Sequence, residues 1–355
     1  MGMGILVLLF ILHTDFRGIW IPRWSITDYN KIFEHLDGRF NHIFLQVFAS
    51  GEAYYPSKYV PSRMLSDAWL KEFIHEAHRR NIKVSAWINT FYSWGYAPWT
   101  PNSEHPINRY PEWYVRDQYQ ESILDYDVDR LRQMGIEGYY LAPANSEVRL
   151  YITRIIEELL NYDFDGIHLD YIRYPSQEFI YDSFLRTKFM RKFSIDPSDL
   201  FTSPDSLKRK LSIWGYDDFK SQWFRFVKDD LTLFIKDLNN IIKVTYPNIE
   251  ISVAVKANHV TARAGYHQEW VTWLNSDFVD FVCLMAYTKD IDGILASTLK
   301  AVDEPRRVVV GLGLYLLSPS EVEKQLRLVH DSPFAGVVFF SYEEVKKNRR
   351  YLSSL

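Results

Sequence analysis

The 355-residue chain has almost no cysteine, and its single thiol, Cys283, excludes an intrachain disulfide framework and any zinc-finger arrangement. There is no charge excess either. Lys and Arg number 41 against 45 Asp and Glu, a net charge of -4. Such a mixture leaves no electrostatic footprint for nucleic acid. The apolar run at residues 4–12 is too short to span a bilayer, and no other run approaches a span. No G-x-G-x-x-G follows an apolar run, so the usual dinucleotide site of an open, doubly wound sheet is missing. No linker, low-complexity tract or internal repeat divides the chain. It reads as an apolar segment, 1–14, followed by one elaborated domain, 15–355. The apolar segment has the length of an export-signal core, although no Lys or Arg precedes it and no A-x-A site follows. The expected location is therefore secreted or cell envelope, or cytoplasmic if the run is not a signal.

What the chain does have is 47% hydrophobic residues and 16% aromatics. Eight short apolar runs, rich in β-branched residues, recur along it. They are FRGIWIP (16–22), HIFLQVFA (42–49), KVSAWINTF (83–91), FDGIHLDYI (164–172), IEISVAVKA (249–257), DFVCLMAYT (280–288), RVVVGLGLY (307–315) and GVVFFSY (336–342). Amphipathic helix signals lie between them, with Ser66, Ser146 and Ser318 or Ser320 as candidate N-caps. Near-continuous apolar strands alternating with helices predict parallel β/α units, and eight such units predict a closed (β/α)8 TIM barrel. The third and fourth runs start about 80 residues apart, and the fourth and fifth about 85, where an ordinary unit needs about 30. The excess follows the third and fourth strands, and therefore falls on the C-terminal face where barrel active sites are built.

Alternation along a strand puts Gly166, His168 and Asp170 on one face and Ile167, Leu169 and Tyr171 on the other. The second set suits packing against outer helices, so His168 and Asp170 point inward, with Asp170 near the C-terminal mouth. Asp165 has the opposite parity and lies roughly 16 Å away, at about 3.3 Å per residue. It reads as a turn or cap residue on the bottom face. An inward carboxyl at the mouth is costly unless it is paired or chemically used. Gln46 (sharing a face with Phe48), Asn89 (with Trp87), and Met285 with Tyr287 fill in the same mouth. Beyond the second strand stand Glu52, Tyr54 and Tyr55. Beyond the third comes FYSWGYAPWTPN, whose Trp94, Tyr96 and Trp99 suit stacking on sugar rings.

Several pieces together resemble one family. RGIW (17–20), HIFLQVFASGEAYY (42–55), SAWINTF (85–91), PEWYV (111–115), LAPANSEVRLYI (141–152), FDGIHLDYIRYP (164–175), DFVCLMAYT (280–288) and GVVFFSY (336–342) are similar to the glycosyl-hydrolase-like family 10 of bacterial barrel proteins. The resemblance implies a secreted or envelope glycoside hydrolase, because members are linked to cleaving peptidoglycan glycan strands, especially strands lacking peptides. The chain departs from the family pattern twice. Tyr171 follows Asp170 where many members carry a second acid, and Glu52 stands where many carry Asp.

Glycoside hydrolysis ordinarily uses two carboxyl groups, one protonated and one ionised, and calls for no cofactor. Asp170 is the first, as general acid. Glu52 is the preferred second, with Asp290, Asp292 and Glu343 as alternatives. Arg173 and Tyr174 are placed to hold a sugar hydroxyl or tune the acid, while Arg149 reads as loop-bracing. Two other classes stay open. His168 and Asp170 could serve a metal-dependent hydrolase or deacetylase, completed by His259 or His267. A non-catalytic glycan-binding barrel would keep the aromatics without a working acid pair.

Overall fold

A computed structural model describes residues 16–63, 66–353 and 355. The apolar segment 1–14 lies outside them. Among the described residues eleven strands follow one another: β1 (Phe16–Ile21), β2 (His42–Ala49), β3 (Glu52–Ala53), β4 (Lys83–Asn89), β5 (Tyr92–Trp94), β6 (Tyr139–Tyr140), β7 (Gly166–Asp170), β8 (Glu250–Lys256), β9 (Phe281–Met285), β10 (Val308–Gly313) and β11 (Gly336–Phe340). Eight of them, β1, β2, β4 and β7 to β11, pair in parallel around a ring. The ring closes because β1 pairs with β11 on one side and β2 on the other. Closure leaves no edge, so every apolar run is paired on both sides.

Inside the barrel, polar groups sit in pairs among aromatic rings. His42 Nε2 lies 2.8 Å from Ser85 Oγ. One layer higher, Trp20 Nε1–H donates to His168 Nε2 at 3.1 Å, and His168 Nδ1 lies 2.8 Å from Ser252 Oγ. Phe44, Trp87, Val309 and Val338 fill the space between. Gly311 is small for a packing reason, since a Cβ there would come within 2.9 Å of the Trp20 ring. Between strands and helices lies a second, larger apolar layer holding Ile167, Leu169 and the helix faces.

The helix signals hold with one change of cap. Ser66 accepts from Trp69 N, and Ser318 from Glu321 N within a capping box. On the helix Ser146–Leu159, however, Asn145 caps in place of Ser146, accepting from Glu147 N at 2.8 Å. One expected strand face also changes. A register shift lies between Gln46 and Phe48. Phe48 therefore leaves the face of Gln46 and packs in the outer layer, against Tyr151. An extra residue of this kind breaks the two-residue period.

The two long excursions leave from the C-terminal ends of β4 and β7. The first carries the β5–β6 ribbon and returns along the helix Ser146–Leu159. The second carries the helix Ser183–Phe193 and the long helix Pro204–Thr245, which contains a non-helical residue at Ser212. Arg149 braces the two, donating to Asp230 of the long helix and to Pro143 O.

Candidate active site

Asp170 ends β7 inside the ring, beside Asn89 at the end of β4. Tyr171 then takes a φ of 52°, which turns the chain out of the strand. The carboxyl is 7% exposed. Its Oδ1 accepts from Tyr171 N at 2.7 Å and its Oδ2 from Trp87 Nε1 at 3.1 Å. Burial pushes its pKa up to about 6. The Arg173 guanidinium and the two donors work against that rise, and the charge of Glu137 adds to it. A carboxyl raised this way is protonated in mildly acidic solution.

The surroundings of Asp170 are built from several strands. Gln46 donates its amide to Asn89 Oδ1 at 3.2 Å and accepts Arg23 N at 3.1 Å. Trp87, Phe340 and Tyr287 pack ring against ring, and Tyr315 closes on Tyr287 at 6.1 Å. Arg173 is buried beyond Asp170, stacked over Tyr171 at 4.8 Å and donating to Tyr140 and Glu137. Asp170, Trp87, Asn89, Gln46, Tyr287 and Arg173 thus come together as neighbours.

The other residues singled out from the sequence sit elsewhere. His168 is one layer below, and both its ring nitrogens are engaged within the barrel. Burial holds it well below the usual histidine range, so it is neutral. Glu52 is buried in the β2–β3 hairpin and pairs with Arg63 at 2.7 Å. Trp94 is 8% exposed and donates to Ala97 O, while the Tyr96 hydroxyl donates to Ile136 O. Both belong to the core of the first excursion. Trp99 is 49% exposed and rests on Tyr139. Tyr174 is buried behind the strand against His267. Asp165 sits at the opposite end of β7, accepting Val84 N and paired with His78. Among the described residues, no three His, Cys, Asp or Glu side chains converge as metal ligands.

Sequence reasoning passed over four groups at this mouth. Lys256 ends β8 with the inward parity of Ser252, so the rule that found Asp170 reaches it too. Glu137, in the first excursion, accepts from both Arg173 and Lys256 at 3.2 Å, and no local pattern marks it. Trp24, just past β1, is 61% exposed, and Tyr315, just past β10, is 53% exposed. Both are single residues, without the clustering that drew attention to residues 91–102.

A closed ring of eight parallel strands with helices between them is the (β/α)8 TIM barrel, whose active sites are built at the C-terminal mouth. A GH18 chitinase from Cycas revoluta, solved in complex with (GlcNAc)4, shares that fold. The match covers 96% of this chain and 98% of that one, with a TM-score of 0.54 and 11% identity. The family model for glycosyl hydrolase-like 10 matches residues 15–311, and the chain belongs to that family. Glycosyl hydrolase YngK of Bacillus subtilis (strain 168) is 25% identical over 232 residues, which are 60% of this chain and 36% of that protein. An S-layer-related protein of Niallia circulans is 21% identical over 219 residues, 59% of this chain and 13% of that protein. The chain spans well under half the length of these curated relatives.

Proposed function

We propose that the chain is a glycoside hydrolase acting on a bacterial cell-envelope polysaccharide, peptidoglycan glycan strands foremost, with Asp170 as general acid. The observation that carries this reading is the Asp170 carboxyl itself. It is buried at the barrel mouth, raised to about 6, and held by two donors that fix its direction. Membership in a glycosyl hydrolase-like family supports the reaction class. The S-layer-related relative supports an envelope setting. Among the described residues no helix is long and apolar enough to cross a membrane.

Gln46 and Asn89 offer amides to sugar hydroxyls, and Tyr287, Tyr315 and Trp24 offer rings to sugar faces. Glu52 braces the β2 hairpin through Arg63 at the rim of the same mouth. The test is Asp170→Asn, which keeps the shape and removes the proton. Turnover of unactivated glycan strands should fall by about 10² or more, in line with typical general acid contributions. An aryl glycoside with an activated leaving group should lose less. Near-normal turnover by the variant on the unactivated strands refutes the assignment. A second reading, a glycan-binding barrel without catalysis, rests on Tyr171 standing where many family members carry an acid. Wild-type protein that binds denuded strands and leaves them uncut would select it.

A further inference from the structure

Glu137 lies between the helix Val128–Gln133 and β6, in the excursion that leaves β4. Its Oε1 accepts from Arg173 Nη2 and Lys256 Nζ, each at 3.2 Å, and its Oε2 accepts from Tyr140 Oη at 3.1 Å. Arg173 follows Asp170 by three residues, and Lys256 ends the neighbouring strand β8. The excursion therefore hangs this carboxylate over the ends of β7 and β8, where Asp170 opens. The Glu137 side chain is 35% exposed, so solvent reaches it. Among the leading influences on Asp170 the one carboxylate is Glu137. Both Oε1 lone pairs are taken by cations, which leaves one on Oε2 free.

We propose that Glu137 is the catalytic nucleophile working with Asp170, an inference that rests on the glycosidase reading above. The electrostatics agree with the geometry. Burial alone would raise Glu137, but Arg173 and Lys256 more than offset it and hold the group below the usual glutamate range. The two carboxyls are thus pushed in opposite directions, the pattern that separates an acid from its ionised partner. A carboxylate depressed by two cations is a weak base for water and a good leaving group in a second displacement.

In the first step Glu137 Oε2 bonds to the anomeric carbon as the glycosidic C–O bond breaks. Asp170 gives its proton to the departing oxygen and becomes a carboxylate. In the second, Asp170 takes a proton from water while the water oxygen displaces Glu137 from the anomeric carbon. Both carboxyls return to their starting states, and the sugar keeps its anomeric configuration.

The experiment compares wild type, Glu137→Ala, Glu137→Gln and Glu52→Gln on denuded peptidoglycan strands and on a dinitrophenyl N-acetylglucosaminide. Thermal melts verify folding of each. Wild type should release product of retained configuration, read by proton NMR before mutarotation. Both Glu137 variants should lose about 10² or more in kcat on the strands at every pH. Sodium azide should restore Glu137→Ala on the aryl glycoside and leave a glycosyl azide as product. Glu52→Gln should stay within severalfold of wild type.

A structural role limited to Arg173 predicts something else: the Asp170 limb of the pH profile moves down, kcat at pH 5 stays near wild type, and no glycosyl azide forms. That result overturns the proposal. So does inversion by wild type, or a loss confined to Glu52→Gln, and in these cases the glycosidase reading survives. Wild type that cleaves neither substrate overturns both.

Discussion

Trp87 has two duties at once. Its ring packs in the barrel interior, and its indole N–H stabilises the charged form of Asp170. A general acid works only while protonated. With Asp170 as the proposed general acid and Glu137 as its ionised partner, turnover of a substrate with a poor leaving group should fall about tenfold per unit above about pH 6, and should fall again in acid where Glu137 becomes protonated. Trp87→Phe keeps an aromatic ring and removes the donor. The anion then loses a partner, so the falling limb should move to higher pH. A pH–rate profile of kcat/KM measures this, and a limb that stays put or moves down contradicts the role given to Trp87. A single parity rule made Asp170, Trp87, Asn89 and Gln46 legible in the sequence, since inward positions near strand ends meet at the mouth. Glu137 was not legible, because its partners Arg173 and Lys256 come from other segments and no spacing links them.

The helix Ser183–Phe193 starts from a charged cap buried in the second excursion. Asp182 Oδ1 accepts from Phe184 N at 3.1 Å and Leu185 N at 3.0 Å, while Oδ2 is buried without a hydrogen-bond partner. Burial raises its pKa from 3.8 to about 6, and the neighbouring Asp230 charge adds to this. An acid raised on folding binds protons more tightly in the native state. Its stabilising contribution is therefore complete below about pH 3.8 and is lost as pH rises through 6. Asp182→Asn keeps the cap and removes the buried charge. At pH 7 it should stabilise the fold by up to about 3 kcal/mol, from roughly two pKa units at about 1.4 kcal/mol each. Urea unfolding at pH 4 and pH 7 tests this, with the gain expected only at the higher pH. Elements of this kind were legible where chemistry is local. All eight strands were, as was the Ser66 cap, while the third cap was narrowed to Ser318 or Ser320 and falls on Ser318. The shift between Gln46 and Phe48 was not, because one inserted residue leaves composition unchanged while reversing a face.

At the scale of the whole molecule, excess chain length correctly marked where the excursions leave the barrel, but aromatic composition did not mark which rings face solvent. The cluster after β4 mostly builds its own core, because an excursion of some 70 residues needs apolar side chains to hold itself together. Trp94 sits edge-on to His105, which in turn lies 2.7 Å from Ser50 O beyond β2. That contact fastens the excursion to the barrel rim. The exposed rings at the mouth come instead from short loops. Trp24 lies under the Arg23 guanidinium at 5.2 Å, and Tyr315 continues the line from Trp87 through Phe340 and Tyr287. Binding and folding should therefore separate by position. Trp24→Ala and Tyr315→Ala should each weaken binding of glycan strands severalfold or more, with melting temperature little changed, since an exposed ring adds little to the core. Trp94→Ala should cost about 3–5 kcal/mol in stability, as large buried aromatics do when truncated. Calorimetric titration with denuded strands and thermal melts on the same three variants measure both quantities. Loss of binding without loss of stability in Trp94→Ala, with Trp24→Ala and Tyr315→Ala unaffected, would instead place the sugar cleft in the first excursion.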